Sequence, residues 1–224
     1  METLKLLNWE IYPEKGETLL QAKLDKPSDM QYFAPALGDW EIKDGALQGV
    51  YRGNNGGICF SREAYPGNIL LDFYASMIPP CSNDLNFAFR SGGWDYENNT
   101  VEGFIGGLNG WYDDRAGLEK YPPATGAVTD ERQRQMEITD RALVGFTAVS
   151  GQAYHIQAGY VEDTAFFFVD GQLVVEMLDA KPEQTQNLGY FGLGLYCSQV
   201  RFWNLRASRP CFQPAKNRVY VPNF

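Results

Sequence analysis

Short runs of apolar or alternating residues, separated by turn signals, follow one another along most of this chain. Many short strands at such spacing are typical of a β-sandwich or barrel. The turn signals include Lys43-Asp44-Gly45, Gly53-Asn54-Asn55-Gly56-Gly57, Ser91-Gly92-Gly93 and Asp170-Gly171. The pattern predicts strands at Trp40–Lys43, Ala46–Tyr51, Gly57–Phe60, Ile69–Met77, Leu85–Arg90, Thr100–Leu108, Tyr154–Val161, Ala165–Val169, Gln172–Met177, Tyr190–Tyr196 and Val200–Leu205.

One segment favours a different structure. Residues Glu131–Val144 are rich in charge and contain no proline, which suits a surface helix. Their apolar positions do not repeat at a clean helical period. The segment is therefore interpreted as an insertion whose structure the sequence leaves open.

Alternation with period two separates the side chains that face the core from those that leave it. On three predicted strands, a polar or aromatic face lies opposite an apolar one. If one sheet of the sandwich is curved and open, these faces line a groove in which a sugar can lie. The outward sets are Asn86, Ala88 and Arg90; His155 and Gln157; and Tyr190, Gly192, Gly194 and Tyr196.

Length and charge narrow the class of protein. The chain has 224 residues, enough for one sandwich domain, with a core predicted over about 40–206 between N- and C-terminal extensions. Its net charge is −9, with no basic stripe. Phosphate backbones and anionic membranes are bound by clustered cations, so neither nucleic acid nor a membrane is an expected partner.

Location and cofactors follow from what the sequence contains. Met1–Glu10 shows no secretory pattern, and no apolar run approaches a membrane span, so we expect a cytoplasmic protein. With a single His in the chain, we do not expect the four cysteines to form a zinc site. We expect no cofactor. A structural Ca²⁺ is left open, because acids are plentiful, although no Asp-x-Asp-x-Asp run marks a site.

Several segments resemble the concanavalin A-like lectin/glucanase group of jelly rolls. They are Trp40–Gly49, the strand Asp84–Arg90, the strand–Asp-Gly–strand hairpin Phe166–Val174, and the final strand pair in Gly192–Leu205. Together they span about residues 40 to 206 in the order expected for that group. The resemblance implies an all-β, concanavalin A-like jelly-roll β-sandwich of two antiparallel sheets.

A narrower resemblance rests on four further segments. The sequence is similar to a small bacterial family of cytoplasmic jelly rolls found beside rhamnogalacturonan-utilisation enzymes. That likeness implies a role in the use of plant cell-wall sugars, and it supplies no established catalytic residues. The matching segments are Arg90-Ser91-x-x-Trp94-Asp95-Tyr96-Glu97-Asn98, Ile105-Gly106-Gly107-Leu108-x-Gly110-Trp111, Gly117-x-Glu119-Lys120 and Tyr154-His155-Ile156-Gln157.

The candidate catalytic residues are His155 and Glu102. Glucanases of this fold carry Glu-x-Asp-x-x-Glu on one strand, and this chain has only Glu102 in the corresponding place. His155 is the one side chain whose ordinary pKa lies near neutrality. Gln157 and Arg90 beside it would suit a uronate carboxylate, as elimination requires. The alternative is a structural histidine.

The candidate substrate-binding residues combine aromatic and polar side chains. Apolar faces of sugar rings stack on aromatic rings, and Trp94 and Trp111 occur in glycine-rich stretches expected to be loops. Core burial is the alternative for both. The full predicted set is Asn86, Arg90, Trp94, Trp111, Glu119, Gln157 and Tyr196.

Three functions fit these features. The leading hypothesis is an enzyme that cleaves a small, plant cell-wall-derived oligosaccharide by hydrolysis or elimination, in a groove on the concave sheet. The second is a carbohydrate-binding protein without catalysis, because the same residues serve recognition alone. The third is an interaction module whose aromatic face binds another protein.

Overall fold

The computed structural model describes residues 3–51, 56–111, 114–124, 139–196 and 198–217. Within them the chain forms two antiparallel sheets and two short 3-10 turns, Pro27–Tyr32 and Pro182–Gln184. The predicted all-β sandwich of two antiparallel sheets is confirmed. Strands are numbered below in chain order.

The first sheet has nine strands. The longest, β16, runs through its centre and pairs with three other strands along its length. In spatial order the sheet contains β1 (Leu4–Lys5), β2 (Trp9–Ala22), β16 (Gln199–Pro214), β7 (Ile69–Met77), β12 (Tyr154–Val161), β13 (Thr164–Val169) and β14 (Gln172–Leu178), while β5 (Ala46–Val50) joins β16 and β4 (Asp39–Lys43) joins β5.

The second sheet has seven strands and carries the candidate site. Its central strands are β9, β8 and β15; β8 and β9 are consecutive in the sequence, whereas β15 comes from a distant part of it. In spatial order it contains β11 (Asp140–Val144), β10 (Arg115–Tyr121), β9 (Thr100–Trp111), β8 (Leu85–Asp95), β15 (Tyr190–Tyr196), β6 (Gly56–Ser61) and β3 (Phe33–Leu37).

Every predicted strand is present, and the structure adds five that the sequence pattern did not predict. Four of these, β1, β2, β3 and β10, lie in segments without clean alternation. The fifth, β11, occupies the end of the segment that the sequence left open, so Asp140–Val144 is a strand and not a helix. Residues 131–138 and the first three residues of the predicted turn at Gly53–Gly57 lie outside the described residues.

The core is one apolar layer between the sheets, built by period-two alternation. On β8, Leu85, Phe87 and Phe89 are fully buried. On the facing sheet, β7 and β13 contribute Phe73 and Phe167, whose rings contact Phe87 edge to face at 5.9 and 5.2 Å between centroids. Burial of such aromatic side chains is the main stabilising term of a sandwich.

Two predicted turns close hairpins of the nine-stranded sheet. Asp44-Gly45 connects β4 to β5, and Asp170-Gly171 connects β13 to β14. All four residues have positive φ. Two-residue loops with positive φ at both positions match the twist of the flanking strands, and Asp-Gly is among their preferred sequences.

The third predicted turn, Ser91-Gly92-Gly93, is wrong. Strand β8 continues through it to Asp95, by way of a bulge whose register shifts against both neighbouring strands. Arg90 and Gly93 adopt positive φ at the bulge. On β9, Gly103 also has positive φ, and a Cβ there would collide with the Arg90 carbonyl oxygen. The bulge places four steps of β8 opposite two steps of β9, so Arg90 leaves the outer face while Trp94, beyond the bulge, shares that face with Ala88.

The N-terminal extension covers part of the outer face of the nine-stranded sheet. Leu4, Leu6 and Ile11 are buried there in a second apolar cluster with outward residues of β13, Phe166 and Phe168. The backbone of Leu7 donates to the Glu176 carboxylate on β14. The extension therefore belongs to the packing of this sheet.

A buried ion pair joins the two sheets at one edge. Lys120, on the inward face of β10, lies 2.5 Å from the carboxylate of Asp179, and their side chains are 1% and 0% exposed. The hydroxyl of Tyr160 on β12 also donates to Asp179, and Lys120 donates to the backbone oxygen of Lys181. Removing one partner of such a pair leaves an uncompensated buried charge.

We predict that Lys120→Met destabilises the fold by about 3–5 kcal/mol, because Asp179 loses its counter-charge while staying buried. Urea unfolding followed by tryptophan fluorescence measures the change. The matched control is Lys43→Met, since Lys43 is exposed and its distance to Glu41 is 4.0 Å; its expected effect is below about 1 kcal/mol. Equal free energies of unfolding for the two variants would contradict the prediction.

Candidate functional site

The outer face of the seven-stranded sheet carries an apolar patch. Its buried members are Ile58 and Phe60 on β6, Ala88 on β8 and Val101 on β9. Ala36, Trp94 and Ile105 pack against them. Gly192 and Gly194, in the middle of β15, have no side chains on this face, so the side chains of Ile58 and Phe60 lie directly over that strand. Apolar side chains on an outer sheet face, away from the core, can mark a binding surface.

A cleft of about 370 Å³ opens beside this patch. Aromatic side chains and polar groups both reach it, which is the usual composition of a small-molecule site. Its lining consists of Asp84, Asn86, Trp94, Asn99, Thr100, Val101, Ile105, Gly110, Trp111, Glu119, Arg141 and Tyr196.

Two polar side chains form the deep part of the cleft. Asp84 and Asn86, at the start of β8, are 5% and 8% exposed. Within the described part of the chain, Asp84 Oδ1 and Asn86 Oδ1 have no hydrogen-bond partner. A buried polar atom without a partner is costly, and such atoms are uncommon in folded proteins. Asn86 Oδ1 is therefore positioned to accept a hydrogen bond from a ligand, and Asp84 Oδ1 to accept one or, when the carboxyl is protonated, to donate one.

Burial and a neighbouring charge perturb Asp84. Burial, followed by the charge of Glu119, raises the pKa of Asp84 to about 8, while a hydrogen bond with Asn86 acts in the opposite direction. Gly110 on β9 makes room for the carboxyl group, because a Cβ there would collide with Asp84 Oδ1. The carboxyl of Asp84 therefore carries a proton at neutral pH.

Glu119, on β10, forms the other polar wall. Its Oε1 accepts a hydrogen bond from Trp111 Nε1 at 2.5 Å and lies 2.6 Å from Arg141 Nε. Arg141 lies on the neighbouring strand β11, directly opposite Glu119. These contacts fix the indole of Trp111 at the rim and neutralise Glu119 with a cation inside the cleft.

A second pocket of about 270 Å³ adjoins the cleft, and Trp94 lines both. Tyr96 and Tyr190 belong to this pocket and are among the exposed large side chains of the molecule. Its lining consists of Ala34, Pro35, Ala36, Phe60, Ser61, Arg62, Gly93, Trp94, Tyr96 and Tyr190. The two pockets thus share the side chain of Trp94 as a common wall.

The structure brings together five of the seven predicted substrate-binding residues: Asn86, Trp94, Trp111, Glu119 and Tyr196 all line the cleft. Trp94 and Trp111 are the next-to-last and last residues of β8 and β9, so they lie on strands and not in loops. Whether these side chains bind a substrate stays a prediction.

Arg90 does not reach the cleft. The bulge turns it inward, and it is 4% exposed. Its guanidinium lies 3.9 Å from the centre of the Tyr160 ring and donates to the backbone oxygens of Pro182 and Thr185. Burial lowers the pKa of Arg90, and the neighbouring Tyr160 acts in the opposite direction. Arg90 anchors the 3-10 turn after β14, where no ligand in the cleft could contact it.

His155 and Gln157 lie on the opposite side of the sandwich. Both project from the outer face of β12, in the nine-stranded sheet, where they bind one carboxylate: His155 Nε2 and Gln157 Nε2 lie 2.8 and 2.9 Å from the two oxygens of Asp72. The His155 ring also stacks on Tyr74, which stacks on Trp203. The outward face of β12 was predicted correctly, but the sheet to which β12 belongs was not.

Glu102 does not line the cleft either. It alternates with Val101, which faces the apolar patch, and its carboxylate lies beside Gly92. The expectation that His155 and Glu102 project into one cleft is therefore wrong, because the two residues lie on different sheets. No acid–base pair forms from these two side chains.

Sequence reasoning missed four polar residues of the cleft: Asp84, Asn99, Thr100 and Arg141. Asp84 directly precedes the predicted strand at Leu85–Arg90, and this position could have marked it as a polar residue at the end of a strand. Arg141 carried no such signal, since its place follows from the pairing of β10 with β11 across a long insertion.

The described parts of the chain contain neither a cluster of metal-binding side chains nor a helix that could span a membrane. No group of three or more His, Cys, Asp or Glu side chains there is arranged to hold a metal ion. No helix among those residues is long and apolar enough to cross a membrane.

Solved structures share this architecture. A carbohydrate binding module, CBM66 from Bacillus subtilis, is 14% identical and superposes with a TM-score of 0.57, covering 79% of this chain and 95% of that one. A protein of unknown function with a galectin-like fold, also from Bacillus subtilis, is 13% identical, with a TM-score of 0.58 and coverage of 89% and 98%. The fold is a galectin-like and concanavalin A-like β-sandwich.

A third structure is the exoplasmic/lumenal domain of VIP36 in its Ca²⁺-bound form, 7% identical, with a TM-score of 0.58 and coverage of 90% of this chain and 96% of that one. No protein-family model matches the sequence, and no curated protein matches it. At these identities the likeness establishes the fold alone. The narrower resemblance to a bacterial cytoplasmic family stays an expectation.

The contact between His155 and Asp72 makes the stability of this sandwich depend on pH. The hydrogen bond that His155 donates to Asp72 raises the pKa of His155 above its ordinary value of 6.5, although burial acts in the opposite direction. A raised folded-state pKa means that the stabilisation is complete below pH 6.5, the unfolded value, and is lost as the pH rises through the folded pKa.

We therefore predict that His155→Gln destabilises the protein more at pH 5.5 than at pH 9, and that the difference in free energy of unfolding narrows on the alkaline side of neutrality. Urea denaturation at half-unit pH steps measures it. Asp72→Asn is expected to remove the same pH dependence. The prediction is contradicted if the difference in free energy of unfolding between wild type and His155→Gln does not change with pH, or if it grows as the pH rises.

Proposed function

We propose that this protein binds an oligosaccharide in the cleft on the outer face of the seven-stranded sheet. The observation that carries the proposal is the meeting of Trp94, Trp111 and Tyr196 with the unpartnered oxygens of Asp84 and Asn86 in one cleft. A sugar ring offers apolar C–H faces to aromatic rings and hydroxyl groups to polar atoms. The cleft supplies both kinds of contact at the same place.

The structural neighbours support a carbohydrate ligand. One of them is a carbohydrate binding module, and it shares the fold over 79% of this chain. Fold likeness alone does not establish function, so the support depends on the composition of the cleft in this chain. An origin of the ligand in plant cell walls and a cytoplasmic location are further parts of the proposal, and they rest on the sequence resemblance.

Together the cleft and the adjoining pocket are longer than one sugar ring. They share Trp94, so a chain of at least two sugar units can contact the aromatic side chains of both. Tyr190 and Tyr96 would contact the unit beyond Trp94. An oligosaccharide is therefore a better fit than a monosaccharide.

A second candidate function is cleavage of the bound sugar. Glycoside hydrolysis uses one carboxyl group that gives a proton and a second that acts as base or nucleophile. Asp84 holds a proton at neutral pH, whereas Glu119 is paired with Arg141, and both line the cleft. In this reaction Asp84 would protonate the glycosidic oxygen while Glu119 takes a proton from the attacking water.

Replacing Trp94 tests the binding function. We predict that Trp94→Ala weakens oligosaccharide binding at least about tenfold, because loss of a central aromatic contact costs on the order of 2 kcal/mol. Isothermal titration with oligosaccharides found on a glycan array gives the affinities. Trp203→Ala is the matched control, since Trp203 lies on the outer face of the other sheet.

Equal affinities of wild type and the Trp94 variant would place the ligand elsewhere. If no glycan binds and the protein instead forms a stable complex with another protein, the interaction-module alternative is favoured.

Product analysis separates binding from cleavage. If the sugar is cleaved, Asp84→Asn is expected to lower turnover by about 10²-fold or more while the oligosaccharide still binds, because an amide cannot give the proton. Chromatography of the oligosaccharide after incubation with wild type and variant measures this. An intact oligosaccharide after prolonged incubation with wild type, at saturating concentration, would leave binding as the function.

A further inference from the structure

The polar atoms of the cleft are unequally divided between donors and acceptors. The two buried atoms without a partner, Asp84 Oδ1 and Asn86 Oδ1, are both oxygens. Asn86 Oδ1 accepts hydrogen bonds and cannot donate them. A ligand group that contacts Asn86 Oδ1 must therefore donate a hydrogen bond.

A sugar hydroxyl meets this requirement, and a carboxylate does not. A hydroxyl both donates and accepts, so it can pair with Asn86 Oδ1 and with Asp84 in either protonation state. An ionised carboxylate only accepts. Placed against Asn86 Oδ1, it would leave two acceptor oxygens facing each other without a proton between them, which costs the desolvation of both.

The charges around the cleft also disfavour an anionic ligand. Among the described residues that line the cleft, Arg141 is the one cation, and its Nε lies 2.6 Å from the Glu119 carboxylate, so its charge is compensated before a ligand binds. In the adjoining pocket, Arg62 donates to the backbone oxygens of Gln31 and Phe33. Arg90 and Gln157, the residues expected from the sequence to neutralise a uronate, lie outside the cleft.

The raised pKa of Asp84 indicates that this part of the cleft disfavours a negative charge. Burial and the charge of Glu119 raise the pKa of its carboxyl to about 8, so the cleft favours the neutral form over the charged one. A uronate carboxylate entering beside Asp84 would meet the same burial and the same negative neighbour.

We propose that the cleft binds neutral saccharides in preference to uronates. Asp84 and Asn86 form hydrogen bonds with sugar hydroxyl groups, and the Glu119–Arg141 pair disfavours an anionic sugar. This inference rests on the proposed carbohydrate-binding function and adds the chemical class of the ligand. It departs from the uronate-directed site that the sequence suggested.

The test uses matched pairs of ligands. Oligouronates of the galactose, glucose and mannose configurations are each compared with their carboxyl-reduced forms, which keep the linkage and replace COO⁻ by CH₂OH. Isothermal titration at pH 7 is expected to give at least about tenfold tighter binding of the neutral member in any pair that binds. If the uronate member binds as tightly or more tightly, the inference is overturned while the proposed function stands. If the glycan array gives no ligand and no member of any pair binds, the proposed function fails and the inference with it.

The variant Glu119→Gln tests the role of the ion pair through a gain of uronate binding, which a loss of structure would not produce. Glu119→Gln removes the negative charge and frees Arg141, while the side-chain carbonyl oxygen of the new amide can still accept a hydrogen bond from Trp111. We expect this variant to bind the uronate members several-fold more tightly than wild type, a gain of binding. Glu41→Gln, an exposed change on β4 of the other sheet, is the control and should leave both affinities unchanged. Unaltered discrimination in Glu119→Gln would contradict the assigned role of the ion pair.

Discussion

The apolar layer between the two sheets is the constraint on which the rest of the molecule depends. Because each strand must bury every second side chain in that layer, its remaining side chains are forced outward. On the nine-stranded sheet, part of the outer face is covered by the chain's own N-terminal extension, through Leu4, Leu6 and Ile11. On the seven-stranded sheet the outward residues instead line a groove, and that asymmetry locates the candidate site.

One local departure from alternation shapes both the core edge and the site. The bulge in β8 turns Arg90 inward, where it binds Tyr160 and the 3-10 turn after β14, while Trp94 lies on the outer face. A regular strand would have left Arg90 on the outer face, whereas Trp94 has that face with or without the bulge, since two extra residues of β8 leave the alternation beyond it unchanged. The bulge therefore removes a positive charge from the outer face that carries the two pockets.

The sequence predicted the fold well because alternation and Asp-Gly turns are local signals. It also predicted the outward direction of Asn86 and Tyr196 correctly. It failed for Arg90 because a Ser-Gly-Gly run is as compatible with a turn as with a bulge. It failed for His155 because period two fixes the face of a strand and not the sheet that the strand joins. The pairing of Glu119 with Arg141 depends on strand neighbours across a long insertion, for which the sequence carries no local signal.

The five tryptophans offer the most direct test of where the sugar binds. Each indole N–H gives its own signal in a ¹⁵N-correlated NMR spectrum, and substitution of single tryptophans assigns the signals. On titration with the tightest-binding neutral oligosaccharide, the account predicts that the signals of Trp94 and Trp111 shift, while those of Trp9 and Trp203 stay in place. Shifts at Trp203 or Trp9, with Trp94 and Trp111 unmoved, would contradict it.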